Sequence, residues 1–194
     1  MLEAARRKIA NRMRRLIPGR IVRRFVRRQD GAAAVEFAMV AAPFLALVFA
    51  ILETAFVFFA GQTLEAAAAD SARLIMTGQA QTAGYSQAAF KDAVCARVFG
   101  LFDCANGVYV NVKSYSSFGS ISTASPVVNG NLDTSNMTYT PGGPGCIVVV
   151  SLYYQWPIYV QMLGNDLSNL NGGKRLLVAT SVFRNEPYGP TGSC

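Results

Sequence analysis

The sequence predicts an α+β protein: a long N-terminal transmembrane helix, then an exported domain with a short helix and an antiparallel sheet of three or more strands. Three observations carry that prediction. Residues 37–60 form an apolar run of 24 residues with one charge, Glu53, and one proline, Pro43; as a helix it spans about 36 Å, sufficient for a bilayer with some tilt. Later segments either alternate valine with polar residues or stay apolar on both faces, the patterns of half-buried and central strands. Helical signals come first and strand signals follow, as in α+β rather than alternating α/β chains.

The 194 residues are 52% hydrophobic with a formal net charge of +7, and that charge is concentrated. Residues 1–30 carry eleven Lys/Arg against Glu3 and Asp30, a net +9, which leaves −2 for residues 31–194. A nucleic-acid footprint needs its charge displayed on a folded face. Here the charge stops just before the apolar run, where it holds the flank in the cytoplasm. No nucleic-acid partner is expected. The basic segment, broken by Pro18 and Gly19, reads as a disordered leader or as a short amphipathic helix on anionic lipid. Arg23-Arg24-Phe25 superficially resembles a twin-arginine signal, but the run continues to Arg28 without that signal's context.

Helix is expected from about Ala32 to about Thr77, ending near Gly78. A secretory signal would have a shorter apolar region followed by a break. Instead Gln62–Met76 is rich in strong helix formers, and Asp70 and Arg73 stand at i,i+3, where they can pair. A conventional peptidase site within Ala66–Ala69 is the lesser alternative. Pro43 should bend or open the helix locally. Ala34, Ala38, Ala42, Ala46, Ala50 and Thr54 recur every fourth residue. Such a row lets a second helix approach closely in lipid, although abundant alanine produces the same row by chance.

Ser86–Phe102 reads as a second, shorter helix, with Phe90, Val94 and Val98 on one stripe. VYVNVKSY after Gly107 alternates as a half-buried strand. Residues 114–145 read as a long exposed connection, with short strands expected near Ser125–Val128 or Met137–Thr140. The run from Cys146 to Trp156 suits a central strand ended by Pro157, with a helical turn over Ile158–Leu163. Asn171-Gly172-Gly173 is turn chemistry leading into the strand RLLVATSVFRNE. The organisation is a basic leader (1–31), a helix crossing the membrane and extending beyond it (32–78), and an exported domain (79–194).

Cys95, Cys104, Cys146 and Cys194 all lie beyond the apolar run, which suits disulfides in an oxidising compartment. Proximity favours Cys95 with Cys104, leaving Cys146 with Cys194, although four cysteines admit three pairings. Their spacing offers no metal motif, and with no histidine in the chain the usual proton shuttle and commonest metal ligand are absent. There is no G-x-S-x-G, and the acids beyond the helix, Asp92, Asp103, Asp133, Asp166 and Glu186, show no recognisable pairing. No catalytic residue, cofactor or metal is expected. Tyr153, Tyr154, Trp156 and Tyr159 at strand spacing divide between core and partner contact.

Gly31 closes the basic region, and Glu36-Phe37 open the apolar one. A lone carboxylate at the head of a membrane helix is costly and asks for a partner. The pattern GAAAVEF from Gly31 to Phe37, followed by an apolar helix, resembles the prepilin-peptidase site of type IV pilin-like proteins. The longer run to Ala72-Arg73 resembles the TadE-like family of the tight-adherence (Tad/Flp) pilus system, over about residues 28–75. The resemblance implies a pseudopilin or minor pilin of a type IVb pilus, held in the bacterial inner membrane with its C-terminal domain in the periplasm. It implies cleavage between Gly31 and Ala32 by prepilin peptidase, with glycine suiting a narrow peptidase site. It implies as partners that peptidase, other pilins or pseudopilins, and Tad assembly-platform proteins. Glu36 would then neutralise the Ala32 α-amine of a neighbouring subunit.

Two other readings stay open: a membrane-anchored exported binding domain or enzyme unrelated to pili, and a secreted protein with a cleaved signal. The mature N-terminus separates the three: Ala32, an uncut Met1, or a residue near Ala69 or Asp70.

Overall fold

The computed structural model describes residues 30–98, 100–122, 124–159, 167–190, 192 and 194; the basic leader up to residue 29 lies outside them. The first element is a 47-residue helix, α1 (Asp30–Met76), with Pro43 inside it. Residues Gly31–Met76 make a helix long and apolar enough to cross a membrane, which fits a single-pass membrane protein. A compact unit runs from Ala50 to Cys194, so it includes the second half of α1.

Gly78 ends the helix. Its N–H bonds the Ile75 carbonyl, and its φ of 76° places it in the left-handed region, where glycine avoids a Cβ clash. A short turn, α2 (Gln79–Thr82), follows. The next helix, α3 (Gln87–Cys95), starts at Ser86, whose hydroxyl accepts the Ala89 N–H. The sequence predicts this helix as far as Phe102, but it stops at Cys95. The Cys95–Cys104 disulfide holds those Cα atoms 5.6 Å apart, whereas nine further helical residues would separate them by about 13 Å. The chain therefore turns back before another short helix, α4 (Cys104–Gly107).

Three strands form an antiparallel sheet in the order β1 (Val108–Tyr115), β4 (Ile147–Pro157), β5 (Lys174–Arg184). The long run after Cys146 is the central strand. Val108, Tyr154 and Leu177 lie in register, as do Val110, Leu152 and Ala179, so their side chains share one face. That face packs on Leu64, Ala68 and Ile75 of α1 and on Phe90 and Val94 of α3, in one apolar core. Leu64, Ile75, Phe90 and Val94 are fully buried.

The opposite face carries Asn111, Ser151 and Thr180 in register, beside Tyr109, Tyr153 and Val178. A two-stranded hairpin, β2 (Val127–Val128) with β3 (Asn131–Leu132), belongs to the long connection. Its Val127 and Leu132 pack against a second cluster of Tyr153, Leu170 and Leu176. Further along the connection, Tyr139 makes a parallel bridge to Val112 on the edge of β1. The connection thus contains short strand elements near both expected places.

Asn171 leads into Gly172 and Gly173 at φ 76° and 65°, a pair of left-handed positions that glycine fills without strain. The helical turn expected over Ile158–Leu163 does not begin at Ile158 or Tyr159, which have no regular structure; residues 160–163 lie outside those described. Asp70 and Arg73, among the described residues, form no ion pair.

Candidate functional site

The head of α1 is the first candidate. Gly31 is half-buried, whereas Ala32, Glu36 and Phe37 are exposed. A Cβ built on Gly31 would meet nothing within 4 Å, so the described residues give no steric reason for glycine here. Among the described residues Glu36 has no ion-pair or hydrogen-bond partner. Phe37, Met39, Val40, Phe44, Leu47 and Phe49 are all exposed large apolar side chains. They point in every direction around the helix, as a lipid- or helix-facing segment requires. In the alanine row, Ala34, Ala38 and Ala42 are exposed and Ala46, Ala50 and Thr54 are half-buried. The Thr54 hydroxyl donates to the Ala50 carbonyl at 2.9 Å, which satisfies it within its own helix.

The second candidate is Glu53, to which the sequence pattern gave no role. It is the one charge in the apolar run, and it is 8% exposed. Its Oε1 accepts the backbone N–H of Tyr159 at 2.5 Å, a bond that offsets the cost of burying a polar group. Glu53, Val57, Ala60 and Leu64 recur at helical spacing, and all four are buried. Glu53 is therefore the first residue of the stripe that α1 turns towards the sheet. The signal available in sequence was this periodicity, starting at the carboxylate itself.

At its far end α1 is fastened by the C-terminal tail. Disulfides join Cys95 to Cys104 and Cys146 to Cys194. The Glu186 N–H donates to the Met76 carbonyl at 2.9 Å, and the Asn185 N–H to the Cys146 carbonyl at 2.8 Å. The buried Asn185 amide also donates to the carbonyls of Pro141 and Gly143, both at 3.0 Å. Gln81 Nε2 donates to the Ile75 and Gly142 carbonyls. These bonds satisfy backbone groups that the irregular 141–145 segment leaves without a ladder.

The four aromatic residues separate. Tyr154 meets Phe102 edge-on with ring centroids 4.6 Å apart, and Trp156 joins them at the core's margin. Tyr153 belongs to the second cluster, while Tyr159 is 81% exposed.

A cleft of about 330 Å³ opens on the second sheet face, lined among others by Lys113, Asp133, Ser151 and Thr180. Hydrogen bonds from the Ser135 hydroxyl and N–H hold the Asp133 carboxyl below its usual range. On the other side of the sheet, burial and the neighbouring Tyr85 push the Tyr139 hydroxyl up to about 12. Among the described residues no three His, Cys, Asp or Glu side chains converge to hold a metal ion. The cleft offers polar contacts from Lys113, Asp133, Ser151 and Thr180.

Residues 31–73, all within α1, match the family model described as TadE-like protein. No curated protein and no solved structure matches the chain.

Proposed function

We propose that this protein is a TadE-like pseudopilin or minor pilin that takes part in assembling a Tad (Flp) type IVb pilus. Prepilin peptidase cuts it between Gly31 and Ala32 on the cytoplasmic side of the inner membrane, and the C-terminal domain stands in the periplasm. The role is structural, and no residue is assigned to catalysis. The observation that carries this reading is the head of α1: a glycine on which a Cβ would meet nothing within 4 Å and an exposed Glu36 that has no partner among the described residues, inside the stretch that matches the family.

The physical sequence of events follows from charge. Cleavage removes the +9 leader and creates an α-amine at Ala32. Glu36 of one subunit and the Ala32 amine of another then neutralise each other in lipid, where either charge alone is expensive. The alanine row gives the neighbouring helix room to approach. Other pilins and the Tad assembly platform are the corresponding partners.

Processing is tested by Gly31→Trp, which is expected to retain the heavier precursor on a blot; an unchanged size sinks the cleavage assignment. Glu36→Ala is expected to leave cleavage intact while reducing co-assembly and pilus production, and normal levels of both would remove the pairing role. A second reading, an anchored binding domain unrelated to pili, draws on the polar cleft over β1, β4 and β5. It requires an uncut Met1.

A further inference from the structure

We infer that the rim of the C-terminal unit formed by Tyr159 and the Phe56–Phe59 turn of α1 is seated in the headgroup layer of the bilayer. In that position the domain's own backbone shields Glu53 from lipid. The inference rests on the single-pass reading of α1.

Three observations lead there. First, the domain makes contact low on the helix: Glu53 receives the Tyr159 N–H, and Val57 and Ala60 are buried in the domain core. Second, the outward side of the same turns remains apolar. Phe56 is 54% exposed, Phe58 70% and Phe59 60%, and the change to polar residues comes one turn later. There Gln62 and Glu65 are exposed and bond each other. Phe59 stands six residues beyond Glu53, about 9 Å along the axis. The apolar outer surface therefore extends past the level at which the domain first touches the helix.

Third, the lengths fit a bilayer. Gly31 to Phe59 covers about 42 Å of helix, close to the roughly 40–45 Å of a bilayer that includes its headgroup regions. Each headgroup layer is about 5–8 Å thick, comparable with the overlap between Glu53 and Phe59. Lipid is thus the occupant that continues the contact already made by the apolar half of α1. Tyr159 suits this depth, because its ring can enter the acyl boundary while its hydroxyl stays hydrated. An exposed Glu53 at that depth would be costly; accepting a backbone N–H within the fold removes that difficulty.

The test uses the full chain reconstituted in phosphatidylcholine vesicles, plain or brominated in the upper acyl chain. Tyr159→Trp adds a second indole at an exposed position, with the native Trp156 as reference. The added emission is expected to fall about twofold in brominated vesicles, as an interfacial aromatic should. Phe59→Trp gives the same readout if Tyr159→Trp folds poorly. Gln62→Trp, one turn further, is expected to stay unquenched. Unquenched emission at 159 and 59, with the protein still floating with the vesicles, overturns the seating and leaves the single-pass reading intact. Equal quenching at 62 overturns the boundary. Protein recovered free of the vesicles overturns both the single-pass reading and the seating.

Discussion

The two halves of α1 are both rich in alanine and large apolar residues, but only the second also carries Gln62, Glu65, Asp70 and Arg73, and their surroundings differ. From Val35 to Leu52 the large apolar side chains, the half-buried Val48 apart, are exposed around the helix. From Glu53 onward only a stripe is buried, running through Val57, Ala60, Leu64, Ala68 and Ile75. The stripe mixes alanine with larger Val, Leu and Ile side chains, and it joins the sheet residues in one apolar core. A helix that is apolar all round belongs in lipid or among other helices, and one with a single buried stripe belongs on a sheet. The contrast is that of one continuous helix whose first half is apolar on all sides, which fits a membrane span, and whose second half contributes a stripe to a domain core.

The largest expected effect separates the domain from the anchor. Replacing Cys146 and Cys194 by serine removes a bridge closing 48 residues of sequence and should destabilise the domain by about 4 kcal/mol on the chain-entropy estimate. Membrane retention should not change. Urea unfolding in detergent, followed by membrane fractionation, reads both. A protein lost from the membrane would break the division between the halves.

The next test compares leucines within α1. Leu64 is fully buried and Leu47 is 53% exposed. Leu64→Ala should lower unfolding stability by about 3 kcal/mol, the usual scale for a core truncation. Leu47→Ala should leave domain unfolding nearly unchanged. Equal losses would mean that both halves are buried in one core.

Two glycines sharpen the comparison further. A Cβ on Gly61 meets nothing within 4 Å, so Gly61→Ala should stabilise the isolated subunit by about 1 kcal/mol through helix propensity. Gly78→Ala should destabilise it, because φ is +76° and the added Cβ would lie 2.5 Å from the Tyr188 ring. Thermal melts of the two variants should move in opposite directions. Gly61→Ala that folds well but blocks co-assembly would place a partner helix at that turn.

The smallest effect lies at Tyr139, whose buried hydroxyl has no hydrogen-bond partner among the described residues. Its folded-state value of about 12 exceeds the ordinary tyrosine value of about 10, so the folded protein keeps this proton longer. The associated stability is present below pH 10 and is lost as pH rises through 12. Tyr139→Phe should change little at neutral pH and should flatten the alkaline fall in stability. An unaltered alkaline limb would remove Tyr139 as its source.

Much of this architecture was legible because it follows local periodicity. Val108, Val110 and Val112 alternate with polar neighbours, and the Cys146–Trp156 run is apolar on both faces, so a half-buried strand and the central strand could be told apart. Gly78 and Gly172-Gly173 marked a helix end and a turn through backbone chemistry alone. The end of α3 was misread because the disulfide to Cys104 overrides a helical stripe that continues to Val98. Glu53 was missed for a different reason: its partner, Tyr159, lies 106 residues away, and only the folded chain brings them together. The head of α1 was readable as a motif, yet the groups it is proposed to meet belong to other molecules, and among the described residues Glu36 has no partner.

The claim that α1 is an assembling element made by processing is tested most directly by N-terminal sequencing of the protein extracted from membranes. A sequence beginning at Ala32 is the predicted result. A chain beginning at Met1, or one trimmed near Ala69 or Asp70, would contradict it.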